Sequence, residues 1–464
     1  MPNGGQIKRL PIIHIGFDDI DSPRGGCTTH FVAELLVKWI KNRGINLIDY
    51  PNLVRLNPGV PWKTRGNGAL VLRLDVRDED MAEDLFEEAI VEAEKYVSKY
   101  KHSESQPSLA MFIGEIPGIL EFFAGKAVND IVPITFLERI IDKIKPRVKT
   151  SILSKGKRGL VGSLAGIGYR MLNTDYTFEL IAYRSPEYYG RERLVDPESV
   201  KIMDKETKPH TILNFDYEID KPLIIPHGPD PVLYGIRGED PDVLVRAKGF
   251  VKTEEPVTLE VIFRTNQHTD AHLRETVVRK AFPYRGVIVR GIVSRKPSRI
   301  MGGHVIFSIR DDTGEIDVAA YEPTGSLRNI VEKLLPGDEV VVYGVVRPPG
   351  PRHGATINLE KIRVVAVKPQ IVVENPICPR CGKRMKSMGR GKGFKCPRCG
   401  YRDPNARKII RYLPRDLEPG FYEPPPRSFK HLMKPIQRFG REKKYFPAVY
   451  SPRRFIWVNG NLLR

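Results

Sequence analysis

The apolar and polar positions in the first part of the chain follow the periods of strands and helices. An apolar run from Leu10 to Phe17 predicts a short buried strand. Apolar residues then recur every three or four positions from Thr28 to a stop at Gly44, which predicts a helix. Similar patterns predict strands over 70–76 and 176–183 and helices over 79–99 and 136–144. We therefore predict an α/β body over residues 1–270.

Residues 284–368 show a different pattern, with short apolar strands between turns rich in Gly, Pro and Asp. A helix over 327–335 is predicted between the third and fourth of five strands, 287–293, 305–310, 315–321, 339–346 and 356–367. This order is typical of an OB-fold barrel, which binds single-stranded nucleic acid on one face. The alternative is a barrel that serves only as a spacer.

The third region, residues 374–403, contains two Cys-x-x-Cys pairs. Cys378 and Cys381 are separated by fourteen residues from Cys396 and Cys399. Four thiolates in two close pairs satisfy tetrahedral Zn²⁺, so this spacing predicts a structural zinc ribbon.

The charge of the chain is concentrated at its C-terminal end. The formal net charge is +19, and residues 378–464 hold 23 Lys and Arg against 5 Asp and Glu. A basic, aromatic-rich tail over 404–464, with three prolines at 424–426, predicts an extended segment that binds a polyanion, most simply nucleic acid. Aromatic rings that pin the tail to the body are an equally good interpretation.

Two observations bear on the cellular location. No uncharged apolar stretch reaches the length of about 18 residues that a membrane span needs, and residues 1–10 lack the apolar core of a secretory signal. Paired cysteines in a ribbon suit a reducing compartment. We expect a cytoplasmic protein that does not bind membranes.

The stretch from Gly16 to His30 contains the strongest candidate for catalytic chemistry. Carboxylates, glycines and a threonine lie between the predicted strand and helix, at Asp18, Asp19, Asp21, Gly25, Gly26 and Thr28. A glycine turn and a helix N-terminus attract phosphate, and clustered carboxylates can hold Mg²⁺ beside it. The alternative is a solvated acidic turn capped by a threonine.

A second glycine-rich segment spans residues 155–168 and begins with three cations. It does not have the spacing of a Walker loop. We predict phosphate contacts from Lys155, Lys157, Arg158, Gly159 and Gly162. The alternative is a helix whose glycines pack against a sheet, with a solvated basic turn.

Two further segments lie between this one and the barrel. A short apolar segment at 231–239 is predicted to end in a Gly-Ile-Arg-Gly turn. His268 and His272 have a spacing that metal ligands use, but we favour hydrogen-bonded histidines because no third ligand is evident.

Taken in order along the chain, these motifs resemble those of the archaeal synthetases that make 2-agmatinylcytidine in the minor isoleucine tRNA. The resemblance also covers the segments Arg-Leu-Asn-Pro at 55–58, Lys-Thr-Arg-Gly-Asn-Gly at 63–68, Val-Leu-Tyr-Gly-Ile-Arg-Gly-Glu at 232–239 and Pro-Gly-Phe-Tyr-Glu at 419–423. Ile20 is a departure, since the family has threonine between the second and third acids.

The resemblance implies a body that combines a kinase-like and a ferredoxin-like domain. It implies an ATP-dependent ligase that phosphorylates the wobble cytidine of the tRNA and attaches agmatine at C2, with ATP converted to AMP. Thr28 matches the threonine that becomes autophosphorylated, Asp18, Asp19 and Asp21 match the acidic cluster, and the four cysteines match the zinc ribbon.

The implied cofactors are ATP, Mg²⁺ and Zn²⁺. The implied partners are agmatine and the minor isoleucine tRNA, bound at its anticodon and acceptor regions, and no protein partner is implied. Two other functions stay open at this point: a non-catalytic RNA-binding protein built on the barrel and ribbon, and a nucleotide-dependent kinase with another acceptor.

Overall fold

The computed structural model describes residues 11–63, 66–100, 104–351 and 353–463. Thr64 and Arg65 of the Lys-Thr-Arg-Gly-Asn-Gly segment lie outside the described residues, as does Leu10 of the first predicted strand. In the part of the chain that is described, no helix combines the length and the apolar character needed to cross a bilayer.

The body is built on one twisted sheet with helices on both faces. The strands of the body are β1 (Ile12–Asp18), β2 (Asn46–Leu47), β3 (Asn52–Arg55), β4 (Gly68–Asp75), β5 (Ser108–Ile113), β6 (Val148–Ile152), β7 (Thr177–Arg184), β8 (Thr211–Ile212), β9 (Phe215–Asp216), β10 (Lys221–Pro222), β11 (Val232–Gly238) and β12 (Val257–Thr265). Strands β9 and β10 pair with each other in a separate small sheet. Its helices are α1 (Thr28–Arg43), α2 (Glu79–Lys99), α3 (Gly118–Asn129), α4 (Ile134–Ile144), α5 (Arg158–Gly168), α6 (Pro197–Thr207) and α7 (Pro241–Lys248).

Of the predicted helices of the body, α1 and α2 are confirmed at both ends, whereas α4 begins at Ile134, before its predicted start. Helix α1 begins at Thr28 and stops before Gly44, which adopts the left-handed conformation that glycine tolerates best. Helix α2 begins after Asp78, whose side chain accepts the backbone N–H of Met81. The Gly-Ile-Arg-Gly segment was predicted as a turn, and this is wrong because it forms the end of strand β11.

The main sheet has the order β6–β5–β1–β4–β3–β12–β7–β11–β8. Strands β3 and β12 pair in parallel through Asn52 with Arg264 and Leu53 with Thr265, and this short joint merges two smaller sheets. Neighbouring residues of β1 point to opposite faces: Phe17 packs on Phe31 of α1, whereas Gly16 lies against α5. Helices α1 and α5 therefore cover opposite faces at the same end of the sheet.

The second domain is a closed barrel with its own hydrophobic core. It contains β13 (Leu273–Thr276), β14 (Gly286–Arg299), β15 (Val305–Asp311), β16 (Gly314–Ala320), α8 (Leu327–Glu332), β17 (Glu339–Arg347) and β18 (Thr356–Ala366). Pairing of β14 with β17 closes the barrel, and α8 lies between β16 and β17 as the sequence predicts for an OB fold.

The last part of the chain forms a ribbon and then returns to the other two domains. Its strands are β19 (Gln370–Glu374), β20 (Lys386–Ser387), β21 (Phe394–Lys395), β22 (Arg402–Asp403), β23 (Ile409–Leu413), β24 (Gly420–Tyr422), β25 (Ile456–Val458) and β26 (Asn461–Leu462). Strand β24 pairs with β18 of the barrel, and β25 pairs with β12 of the body. The tail is thus an extended segment that packs against both the barrel and the body.

Buried ion pairs hold these parts together. Arg438 of the tail is fully buried, and its guanidinium bonds to Glu239 at 2.7 Å and to Asp175 at 3.0 Å. Between body and barrel, His272 Nε2 lies 2.9 Å from a carboxylate oxygen of Glu360. The preference for a hydrogen-bonded His272 over a metal ligand is confirmed, and this contact joins the barrel to the body.

Candidate active site

A cavity of about 530 Å³ lies at the end of strand β1, where the first acidic residues follow the strand. Helix α5 begins at this cavity, and the loop after β3 and the connection from α3 to α4 form its other walls. Its polar lining consists of Asp18, Asp19, Lys63, Asn67, Asp130 and Arg158, and its apolar lining includes Leu56, Val60, Trp62, Ile131, Val132, Pro133, Ile134 and Val161. Gly159 and Gly162 complete the wall that α5 provides.

Close packing between α5 and β1 explains why these two positions are glycines. A methyl carbon at position 162 would lie 1.8 Å from Oδ2 of Asp18, and one at position 159 would lie 2.2 Å from the carbonyl oxygen of Gln106. The packed glycine helix that the sequence left as an alternative is therefore present, and it forms a wall of the cavity as well.

The Asp18 carboxyl is buried, which makes its ionisation energetically unfavourable. Burial raises the pKa of Asp18 well above its usual range, and the adjacent Asp19 raises it further. None of the Lys and Arg side chains in the described ranges forms an ion pair with Asp18. Two adjacent carboxylates in a cavity, one of them without a cationic partner, are a donor set that suits a hard divalent cation.

Asp19 is positioned by backbone geometry as well as by a hydrogen bond. It adopts a left-handed conformation, with φ of 59°, which turns the chain away from β1. Its carboxylate accepts the backbone N–H of Gln106 at 2.7 Å. Asp19 is thus held against the segment that leads into β5, and it also lines the cavity.

Asp21 and Thr28 contact each other rather than the cavity. The Asp21 carboxylate accepts both the backbone N–H of Thr28, at 3.2 Å, and the Thr28 hydroxyl, at 3.3 Å. Thr28 is buried at the first position of α1. Asp21 therefore caps this helix and is the acceptor nearest to the Thr28 hydroxyl proton among the described hydrogen bonds.

Gly25 and Gly26 form the turn between the acidic cluster and α1. Both have positive φ, 119° and 77°, and a methyl carbon at Gly26 would lie 2.6 Å from the ring of Tyr100. Glycine is needed here because the turn passes directly over that ring. Neither glycine lines the cavity.

The three cations that precede α5 have different surroundings. Lys155 and Lys157 are exposed, and Lys157 forms an ion pair with Glu138 at 2.7 Å. Arg158 lines the cavity, and its Nε is buried and has no hydrogen-bond partner among the described residues. Of the three, Arg158 is the cation best placed to meet an anion at the helix N-terminus.

Trp62 and Lys63 are among the residues of this cavity that sequence reasoning did not assign to a site. Trp62 is 56% exposed, unusual for tryptophan, and Lys63 donates to the carbonyl of Pro58 at 2.8 Å. The signal in the sequence was an aromatic ring beside a cation within a turn-rich loop. Such a pair is typical of surfaces that stack on a base and hold its phosphate.

The side chains of the four cysteines in the ribbon form one cluster, as predicted. The Sγ atoms of Cys378 and Cys399 are 3.5 Å apart and those of Cys381 and Cys396 are 3.4 Å apart, and ligand atoms of all four lie within 4.8 Å of one another. Four sulfurs at these separations fit the ligand shell of one tetrahedral Zn²⁺.

Known domain families match most of the chain. Residues 14–151 match the TiaS TCKD domain, 157–272 the TiaS FLD domain, 287–365 an OB-fold nucleic acid binding domain, and 375–417 the TiaS C-terminal zinc ribbon domain. The predicted fold class is confirmed by these matches together with the closed barrel.

Whole proteins are similar over nearly the full length. The 2-agmatinylcytidine synthetase TiaS of Staphylothermus marinus, which acts on the minor isoleucine tRNA, is 60% identical over 455 residues, which is 98% of this chain and 99% of that protein. The crystal structure of a TiaS complex with this tRNA and ATP is 39% identical with a TM-score of 0.80. That of a TiaS complex with the tRNA, AMPCPP and agmatine is 36% identical with a TM-score of 0.77, and each covers 92% of this chain and 97% of its own.

Proposed function

Because this chain belongs to the TiaS family of tRNA 2-agmatinylcytidine synthetases, we propose that it attaches agmatine to the wobble cytidine of the minor isoleucine tRNA at the expense of ATP. The observation that carries the proposal is the end-to-end match to a synthetase of this name, together with the matches of four segments of this chain to TiaS domains and an OB-fold domain. The reaction is a carbon–nitrogen ligation on RNA.

We infer that ATP binds in the cavity at the end of β1. The apolar walls around Val132 and Val161 suit the adenine ring, and the first turn of α5 with Arg158 suits the phosphates. The unpartnered Nε of Arg158 supports this assignment, since a buried N–H without an acceptor is costly in a finished site. Gly159 and Gly162 let the helix lie close to Asp18, and Lys155 and Lys157 add positive potential near the site.

Asp18 and Asp19 are the residues that would hold Mg²⁺ on those phosphates. Bound there, the ion would neutralise charge on the transferring phosphoryl group, as metal ions do in other phosphoryl transferases. The raised pKa of Asp18 fits this role, because a buried carboxyl with a carboxylate neighbour binds a cation in preference to staying ionised alone.

We propose Thr28 as the site of autophosphorylation, with Asp21 as the group that accepts the hydroxyl proton. The 3.3 Å contact between the two side chains supports this, as does the position of Thr28 at a helix N-terminus, which favours an added phosphate. Gly25 and Gly26 shape the turn that brings Thr28 to this position.

The chemistry explains why ATP is needed. Oxygen at C2 of cytosine leaves poorly, so one phosphoryl group of ATP is transferred to it first, and the agmatine amine then attacks C2 and displaces that group as phosphate. The second phosphoryl group that ATP loses on conversion to AMP is transferred to Thr28 and is released from it by water as phosphate. The wobble base must also leave its stack to reach the site, at a cost of about a few kcal/mol. The OB barrel and the basic ribbon supply surfaces that can hold the tRNA during this step. We place the reaction in the cytoplasm.

The test is a reconstitution with purified protein, ATP, agmatine and a transcript of the minor isoleucine tRNA. Nuclease digestion and mass spectrometry should find 2-agmatinylcytidine, accompanied by AMP, only when all components are present. A non-catalytic RNA-binding protein would cleave no ATP. A kinase with another acceptor would cleave ATP and leave the cytidine unmodified.

A further inference from the structure

The barrel contributes a charged side chain to the surroundings of the cavity at the end of β1. Arg285 comes directly before Gly286, where strand β14 begins, so it lies at the entry to the barrel. Its Nε donates a hydrogen bond to Oδ2 of Asp130 at 2.7 Å, and Asp130 lines the cavity. A residue at the start of the second domain is thus paired with a wall of the candidate active site.

Hydrogen bonds from both domains hold the backbone around Arg285. On the barrel side, its carbonyl accepts the backbone N–H of Val346 in β17 at 2.8 Å. On the body side, the amides of Asn57 and Asn129 donate to the carbonyls of the residues on either side of Arg285, at 3.0 Å and 2.9 Å. The guanidinium also lies 4.9 Å from the centre of the Phe282 ring. The position of Arg285 is therefore fixed by groups other than Asp130.

Asp130 is held on its own side of this contact. It follows the last residue of α3, and its Oδ1 accepts the backbone N–H of Ile131 at 2.9 Å. The Asp130 side chain is 18% exposed, and that of Arg285 is 34% exposed. Within the described ranges, no other Lys or Arg forms an ion pair with Asp130. Loss of the arginine would therefore leave a largely buried carboxylate without a countercharge.

The charge of Asp130 matters because of the ligand that the cavity is inferred to bind. The lining carries the carboxylates of Asp18, Asp19 and Asp130, and the cations among the lining residues are Lys63 and Arg158. Asp18 and Asp19 are the residues that would hold Mg²⁺, so the charge of Asp130 has to be neutralised by the protein itself. Without a partner, this carboxylate would repel the polyphosphate of ATP.

We propose that Arg285 is a positioning residue for ATP, which acts through Asp130 by neutralising its charge so that the cavity accepts an anionic nucleotide. The assignment rests on the proposed function, which places ATP in this cavity. Arg285 is not among the described residues that line the cavity, and its effect on the nucleotide passes through the ion pair. The barrel thereby completes the nucleotide site of the body.

The experiment uses two ligands to separate an effect of charge from an effect of structure. The β,γ-imido analogue of ATP carries the phosphate charge, whereas adenosine has the same base and sugar without it. Equilibrium binding of each ligand is measured with Mg²⁺ present and without tRNA or agmatine, for the wild type, Arg285→Gln and Arg285→Lys. Arg290→Gln is the matched control, because Arg290 lies in β14 and forms its ion pair within the barrel, with Glu339 at 2.6 Å.

Arg285→Gln should bind the ATP analogue about tenfold more weakly than the wild type and bind adenosine equally well. Arg285→Lys should keep the affinity for the analogue within about threefold of the wild type, because lysine retains the positive charge. Arg290→Gln should bind both ligands as the wild type does. The assignment is overturned by an equal loss of both ligands in Arg285→Gln, by an unchanged affinity for the analogue, or by a wild type that does not bind the analogue.

A double-mutant cycle tests whether Arg285 acts through Asp130. In a protein that already carries Asp130→Asn, the further change Arg285→Gln should alter the affinity for the analogue by less than about twofold. The same loss in both backgrounds would show that Arg285 acts on the nucleotide by another route, and the assignment would be wrong.

Product formation is measured separately on the wild type with ATP, agmatine and the tRNA transcript. If 2-agmatinylcytidine forms while Arg285→Gln binds the analogue as tightly as the wild type, the Arg285 assignment fails and the proposed function stands. If Arg285→Gln loses affinity for the analogue alone and the wild type forms no product, the proposed function fails and the Arg285 assignment stands.

Discussion

Gly162 and Asp18 approach so closely that a methyl carbon at position 162 would lie 1.8 Å from Oδ2 of the buried carboxyl. Gly162→Ala must therefore move either helix α5 or the carboxyl that lines the proposed ATP cavity. We expect a loss of about 1–3 kcal/mol in the free energy of unfolding from overpacking. We also expect a loss of about a hundredfold in product formation, because the reacting groups are displaced.

Gly125→Ala is the matched control for this change. Gly125 also lies within a helix, but a methyl carbon there meets nothing within 4 Å. It should raise the free energy of unfolding by about 0.5–1 kcal/mol and leave product formation unchanged. Chemical denaturation measures the free energy of unfolding, and steady-state assays measure product formation. Full activity of Gly162→Ala would show that the Asp18 position is not critical.

Thr28 provides the second prediction. Thr28→Ala should fold and lose agmatine transfer, whereas Thr28→Ser should retain part of it, because serine keeps a hydroxyl beside Asp21. Mass spectrometry after incubation with ATP should place a phosphate on Thr28 of the wild type. Thr29→Ala, one position along the same helix, should keep both activity and that phosphate. A role in helix stability alone would cost Thr28→Ala only about 1 kcal/mol and leave it active.

The third prediction concerns zinc in the ribbon. Metal analysis of the wild type should find about one Zn²⁺ per chain. The double variant Cys378→Ser, Cys381→Ser should release it, because two of the four thiolates are lost. Cys27→Ser is the control, since Cys27 lies in the body, and it should keep the metal. Zinc retained in full by the double variant would contradict the four-cysteine site.

The buried histidine gives the fourth prediction, on pH. The folded-state pKa of His268, about 3, is below that of an unfolded chain, 6.5, so the unfolded state binds one more proton between these values. The free energy of unfolding therefore falls as pH falls below 6.5, by about 1.4 kcal/mol per pH unit for this group. Between pH 6.5 and pH 5, the free energy of unfolding of the wild type should fall more steeply than that of His268→Asn, by about 1.4 kcal/mol per pH unit. Equal slopes in the two proteins would show that His268 is protonated in the folded state.

Local patterns in the sequence were sufficient to predict many elements of this fold. The spacing of apolar residues located α1 and α2 to their ends, since Gly44 and Asp78 are local stop and start signals. The barrel strands and the zinc cluster were also predicted, because alternation and Cys-x-x-Cys spacing are visible within short windows.

Contacts between distant parts of the chain could not be predicted in this way. The joint of β3 with β12 and the burial of Arg438 against Glu239 link residues about 200 positions apart. For the same reason the packing of Pro426, Phe429 and Leu432 of the tail opposite the ferredoxin-like part, across a shared cavity, was not predicted. The sequence contained isolated signals, such as the apolar residues Ile456 and Trp457 of β25, but their pairing partners could be identified only in the folded chain.

Only some of the residues that line the candidate cavity were among those predicted from the sequence. Asp18, Asp19, Arg158, Gly159 and Gly162 do line one cavity, because a strand end and a helix start meet there. Thr28 and Asp21 form a pair beside α1 instead. Trp62 and Lys63 were missed, because a turn-rich loop has no period from which its orientation can be inferred.

The most direct test of the account follows the oxygen atom at C2 of the wobble cytidine. A transcript of the minor isoleucine tRNA with ¹⁸O at that position is incubated with the protein, ATP and agmatine, and both the nucleoside and the released phosphate are analysed by mass spectrometry. Activation by phosphorylation predicts 2-agmatinylcytidine together with inorganic phosphate that carries the ¹⁸O. Formation of 2-agmatinylcytidine with the ¹⁸O in water, or no modified cytidine at all, would contradict the account.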